Sequence, residues 1–244
     1  MTLFGYRIPM AASLLVWAVL WEIVGQLHLS FLLPPLSSVL VAMVHIVPTR
    51  TFLSAFGSTA YAVLVGNLIS IVLGVPLGLL MGQSVVADRL FLPWVNLFLS
   101  APLTALVPVI MVLFGLGQTT IILTVVLFAI WIIVLDTRVG VRAVTPSLVE
   151  MAHSFGASRW QTFVRIYFFA ALPEILAGIR LGVIRSVKGV IIGQLLVTII
   201  GFGALFQTYI NSFLMEEFWA ALLILFGFAF LFAGLLGLLE RQVS

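Results

Sequence analysis

The sequence predicts an all-α membrane protein with six transmembrane helices, and three observations carry that prediction. Hydrophobic residues make up 63% of the chain and charged residues 8%, against about 25% charge in ordinary soluble domains. Apolar runs close to the ~20 residues that span a bilayer recur from end to end. Basic residues gather in alternate loops, the mark of cytoplasmic loops. Cysteine is absent, which excludes a disulfide framework and a thiolate metal site. The formal net charge of +3 follows from membrane orientation and calls for no nucleic-acid partner.

Taken in order, the first span is expected over 8–27, interrupted by Glu22. Arg7 precedes it, but the run is long and Trp-rich and no small-residue cleavage site ends it. It therefore reads as a retained span and not as a signal peptide. Pro34-Pro35 opens a linker that carries a short amphipathic stretch, 37–47. The second span is expected over 55–81, with Asp88-Arg89 at the next turn. The third, 91–114, contains Pro93, Pro102 and Pro108; membranes tolerate such prolines where neighbouring helices or water resatisfy the backbone. Gly115-Leu116-Gly117 marks a tight turn before a fourth span over 119–135. A long polar stretch, 136–167, precedes a fifth span over 172–200 and a sixth over 218–239.

Orientation follows from the arginines. With the N-terminus inside, Arg7, Arg89, Arg138, Arg142, Arg159, Arg165 and Arg241 fall on the cytoplasmic side, and Arg50 alone falls outside. Glu216 and Glu217 lie in an outer loop. The positive-inside rule favours this arrangement, which places both termini and the 136–167 stretch in the cytoplasm.

Within that stretch, Thr145-Pro146 reads as a helix N-cap followed by proline at the first helical position. Ser147 with Glu150 offers a capping box in a second register. Leu148, Met151, Ala152 and Phe155 form one apolar stripe. Gly156 is placed to stop the helix with a positive φ, and Ser158 with Gln161 starts a second helix through another capping box. A helix of two turns is marginal alone, so its apolar face needs a partner. That partner is either the chain's own spans and lipid headgroups, or a groove on another protein.

Glu150-Met151-Ala152, Gly156 and Ile166 resemble the EAA loop of permease subunits of bacterial binding-protein-dependent ABC importers. Met151 stands where the family has Ala, and Phe168-Phe169 where it has Leu-Pro. A Leu-Pro follows at Leu172-Pro173, as in the nitrate, sulfonate and taurine subgroup. The stretches 33–40, 74–82 and 105–108 are similar to the same family. The resemblance implies a type I ABC importer transmembrane domain. Residues 1–53 would hold the first transmembrane helix and a periplasmic linker with its amphipathic helix. Residues 54–240 would form the core, with the coupling loop at 145–173.

The resemblance also implies partners: a second permease chain, expected to be identical, two cytoplasmic ATPase subunits, and an extracytoplasmic solute-binding protein. The setting would be the bacterial cytoplasmic membrane. Leu148, Glu150, Met151, Ala152, Phe155 and Gly156 would engage the ATPase. No cofactor is expected in this chain itself, because it has no Gly-x-x-x-x-Gly-Lys phosphate loop and its only lysine, Lys188, lies in an apolar run. ATP would be bound by the partner subunits. The solutes implied are a small organic or inorganic anion of the nitrate, sulfonate or taurine kind, or a vitamin precursor.

Candidate solute-path residues are Arg185, Lys188, Gln194 and Asn67. Cations inside a span are costly and usually face an interior or a watery cavity. The competing reading pairs the cations with Glu22 or Glu174, or lets them snorkel to the inner surface. Gly74, Gly78 and Gly82 form a small-residue ladder expected to pack closely on a neighbouring helix. His28, His45 and His153 have no metal-ligand spacing. The alternative function is an ion-gradient-driven transporter or channel, which requires ionisable relays or inverted repeats. An enzyme is not expected, since no nucleophile–base pair is apparent.

Overall fold

The computed structural model describes residues 2–3, 6–7, 10–197 and 200–243; residues 8–9 of the expected first span and 198–199 of the fifth lie outside them. After a two-residue antiparallel pairing of β1 (Thr2–Leu3) with β2 (Tyr6–Arg7), the chain is helical. The helices are α1 (Met10–Gln26), α2 (Leu36–Ile46), α3 (Arg50–Gln83), α4 (Val85–Ser100), α5 (Val107–Phe114) and α6 (Gln118–Arg142). They are followed by α7 (Pro146–Ser154), α8 (Arg159–Thr162), α9 (Phe168–Val197), α10 (Gly201–Asn211) and α11 (Met215–Val243). A short 3₁₀ turn, Leu103–Leu106, joins α4 to α5, and one wide π turn, Phe163–Tyr167, feeds α9.

Among the described residues, α3 and α6 are each long and apolar enough to cross a membrane. The count rises to four if two bent helix pairs are each one span: α4 with α5, and the 159–197 run with α10. The α4–α5 pair bends by 99°, so the expected third span is not continuous. Pro93 lies inside α4, Pro102 at the break, and Pro108 in the first turn of α5.

Small residues set the directions of the core helices. Gly66, Gly74, Gly78 and Gly82 on α3 face Val125, Ile133, Thr137 and Val141 on α6 at a constant numerical offset, so the two helices run parallel. A Cβ on Gly78 would stand 2.6 Å from the Thr137 Cβ and 2.7 Å from the Val134 carbonyl oxygen, so only glycine permits this approach. Since lipid is as apolar as leucine, close packing of this kind is what drives helices together in a membrane. The start of α6 lies beside the first half of α3, where Ser58 Oγ donates to Gln118 Oε1 at 2.9 Å. The chain between α3 and α6 therefore has to travel back along the whole of α3. That makes α4–α5 a broken span and not a loop returning to the side it left.

On its other side α6 meets α9 in the antiparallel sense. Gly140 faces Glu174, Gly178 faces Asp136, Gly182 faces Ile133, and Gly193 faces Thr124. A separate apolar layer caps one end of this core, built from Val39 and Ala42 of α2, Phe52 of α3, Phe202 and Phe206 of α10, and Ala220 and Leu225 of α11. Three further differences from the sequence reading have physical causes. The fourth span continues to Arg142 because Asp136, Thr137 and Arg138 find partners or packing against neighbouring helices, and so need no loop. Residues 201–211, read only as part of an outer loop, form α10. Glu22 does not pair with Arg185; its carboxylate accepts the N–H and Oγ of Ser37 at 2.9 and 2.8 Å. It thereby satisfies free donors at the start of α2.

Candidate functional site

Two regions stand out, and the first is α7 with its flanking turns. Thr145 is the N-cap and Pro146 the first residue, as expected. The Thr145 hydroxyl makes no capping bond, so the start is set by the proline ring and by the Leu148 N–H, which donates to the Thr145 carbonyl at 3.1 Å. The Ser147–Glu150 register is not used. At the far end Gly156 has φ +76°. Its N–H donates to the His153 carbonyl and the Ala157 N–H to the Ala152 carbonyl, both at 2.9 Å, which is a Schellman stop. The stop is conformational and not steric, since a Cβ at Gly156 would meet nothing within 4 Å.

Ser158 then starts α8 with both halves of the expected capping box. Its N–H donates to Gln161 Oε1 at 2.8 Å, and its Oγ accepts the Gln161 N–H at 3.3 Å. The stripe is the informative part. Ala152 is buried, but Leu148 is 41%, Met151 49% and Phe155 86% exposed. The face does not pack on the chain's own spans, which removes that half of the competing reading. Glu150 is exposed and forms no ion pair among the described residues. A groove of about 360 Å³ opens beside the stripe between Phe155, Gly156, Gln161 and Arg165.

The second region is α9. Glu174, Leu181, Lys188 and Leu195 are all exposed and recur every seven residues, so they share one stripe, which runs beside the α6 contact and begins where Glu174 packs on Gly140. Lys188 forms no ion pair among the described residues. Arg185 is half-buried one turn away and lies within electrostatic range of Asp136, which Glu174 also approaches. Gln194 and Asn67 sit elsewhere. Gln194 is 1% exposed; it bonds to the Thr59 hydroxyl at 2.8 Å and accepts the Phe202 N–H at 3.1 Å. Asn67 donates to the Val63 carbonyl and to Ser186 Oγ, each at 2.8 Å. Asn67 thereby ties α3 to α9, and Gln194 ties α9 to α3 and α10.

A third cluster was not singled out from the sequence. Asp88 on α4 is buried and binds Arg138 and Arg142 of α6. Fifty or more residues separate these partners. The only local signal was a lone acid between apolar runs.

Comparison with known proteins agrees with this architecture. Residues 74–244 match the family described as the binding-protein-dependent transport system inner membrane component. The chain belongs to that family. It is a permease component of an ABC importer. The Taurine transport system permease protein of Escherichia coli (strain K12) is 26% identical over 239 residues, covering 95% of this chain and 87% of that protein. The Formylaminopyrimidine transport permease protein of Halalkalibacterium halodurans is 25% identical over 84% of this chain and 78% of its own length. The Riboflavin transport system permease protein of Chloroflexus aurantiacus reaches 32% identity, but over 57% of this chain and 52% of its own length. Among solved structures, a chain of the MetNI methionine ABC transporter in an inward-facing conformation superposes with a TM-score of 0.66 at 19% identity. It covers 80% of this permease and 96% of that chain. The likeness shows the type I importer permease fold.

Proposed function

We propose that two copies of this permease form the solute path of an ATP-driven importer in the bacterial cytoplasmic membrane. The observation that carries the reading is the apolar face of α7, held rigid by the Gly156 stop and the Ser158 box, on which Leu148, Met151 and Phe155 stay exposed. A short capped helix of this kind fits a groove on a partner. The partner is a pair of cytoplasmic ATPase subunits, which hold the ATP. Their closure draws the two α7 helices together and turns the spans outward, and hydrolysis releases the solute inward. An extracytoplasmic binding protein supplies the solute.

In this arrangement α1 and α11 complete six spans, with both termini inside. Lys188 supports the placement of the path. It lies more than 13 Å of helix from the end of α9, taking about 1.5 Å for each residue beyond it. An exposed lysine at that depth costs about 2.5–3.5 kcal/mol in lipid, so its stripe faces a watery path between the two copies. With Arg185 beside it, the path suits a small anion such as nitrate or a sulfonate, which fits the likeness to the taurine permease.

Two measurements test this. An ATPase co-purifies with a tagged permease, and Glu150→Lys abolishes its recovery and ATP-dependent uptake while membrane levels stay normal; normal uptake by that variant would overturn the docking role. Lys188→Gln lowers uptake of an alkanesulfonate at least tenfold and Lys188→Arg restores most of it. If the solute is instead a neutral pyrimidine, as the formylaminopyrimidine relative suggests, Lys188→Gln leaves pyrimidine uptake within about twofold, a free-energy change below about 0.5 kcal/mol.

A further inference from the structure

The α3–α4 connection consists of Ser84 alone, which is both the last cap of α3 and the first cap of α4. A one-residue joint holds the two helix ends together but leaves α4 free to pivot. Asp88, in the first turn of α4 and 7% exposed, removes that freedom. Its Oδ1 accepts Arg138 Nε, and its Oδ2 accepts Arg138 Nη2 at 3.1 Å and Arg142 Nη2 at 2.8 Å. A carboxylate gripped by the fork of one guanidinium and by a second from the side is fixed in direction as well as distance. Arg138 and Arg142 occupy the last two turns of α6, and only residues 143–145 separate Arg142 from α7.

Further along, α4 rests on α6 through Val95 against Val134, and Phe98 stacks on Trp131 at 4.3 Å. At its other end α4 meets the break at Pro102 and then α5, whose Val112 and Leu113 are exposed. The near half of the broken span therefore has its root bolted to the stem of α7, while the far half packs separately on α6 through Val107 and Met111.

We propose that Asp88 is a positioning residue of transport: it makes α4, the near half of the broken span, move as one body with α6 and α7. The proposal rests on the importer reading above. A displacement of α7 is carried by the last turns of α6 to Asp88 and thence to α4, while the bend at Pro102 absorbs the difference in α5. Without the carboxylate, α7 moves and α4 does not follow.

The permease has no cysteine, so spin labels can be placed without background. Val86→Cys lies on the exposed side of α4 and Ser147→Cys on the first turn of α7, and neither residue belongs to the clamp. The complete importer, purified through a tag on this chain, is measured without nucleotide and after trapping with ATP and vanadate. With the clamp intact, the 86–147 distance within one chain is narrow and unchanged by trapping. With Asp88→Asn the distribution widens at least twofold and its mean moves on trapping, and Asp88→Glu restores the narrow form. The same narrow, unmoving distance in Asp88→Asn overturns the proposal, whatever happens to thermal stability. If Asp88→Asn fails to assemble, Arg142→Gln leaves the Arg138 fork in place and produces a smaller widening; no widening there overturns the proposal as well. The single Ser147→Cys label, read between the two copies, separates the two levels. If it does not change on trapping, the importer reading itself fails.

Discussion

In the α3–α6–α9 core, backbones lie against side chains with no room for a methyl group at Gly78, and buried Thr59, Asn67, Ser186 and Gln194 bond to groups of the same chain. In the α7–α8 segment the largest side chains, Phe155 and Trp160, stand mostly exposed, and the ordering forces are a proline, a left-handed glycine and a capping box. The core takes its shape from distant partners, whereas the α7–α8 segment takes its shape from its immediate neighbours in sequence. A segment whose apolar face stays open cannot depend on burying that face for its own shape, so local capping has to hold it.

The contrast makes substitutions act differently in the two regions. The largest effect is expected in the core. Gly78→Leu forces apart helices held at contact, costing at least about 3 kcal/mol, the upper part of the overpacking range. Thermal unfolding in detergent followed by circular dichroism would show it, and an unchanged midpoint would mean that the parallel α3–α6 contact is wrong. At Gly156 no clash exists, only a backbone angle that a β-branched residue adopts badly. Gly156→Val therefore costs about 1–2 kcal/mol locally and abolishes uptake at normal membrane levels. Gly156→Asn, which tolerates the left-handed region, keeps ATPase binding within a few-fold. Equal loss in both variants would point to a role other than backbone angle. The smallest effect belongs to Ser158→Ala, which removes one cap for about 1 kcal/mol. Faster amide exchange confined to residues 159–162, with no change in the global midpoint, is the expected signature.

How much could be read in advance depended on sequence distance. The Gly156 stop and the Ser158 box were legible because each partner lies within a few residues. The glycine ladder on α3 was legible as a ladder, although its partner helix was not. The bond of Gln194 to Thr59 was not legible, because helical periodicity at one point in a span says nothing of a residue 135 positions away; Leu195, not Gln194, continues the Lys188 stripe. The helix α10 went unseen although Phe202, Leu205, Phe206 and Tyr209 repeat at helical spacing, a signal diluted by the apolar background of the whole chain.

Composition and local caps by themselves determined that this is a helical membrane protein with a locally capped segment at 145–162, and the resemblance of its motifs added the permease family. Those properties depend on solvent and on neighbours in the chain. Which helices touch, which way they run, that the third span is broken, and that Asp88 joins α4 to the stem of α7 were decided only by tertiary structure. In a membrane the surroundings are apolar on every side, so a hydrophobic pattern cannot tell a helix which neighbour to choose. The choice falls to shape and to buried charge, and both come together only when the chain is folded.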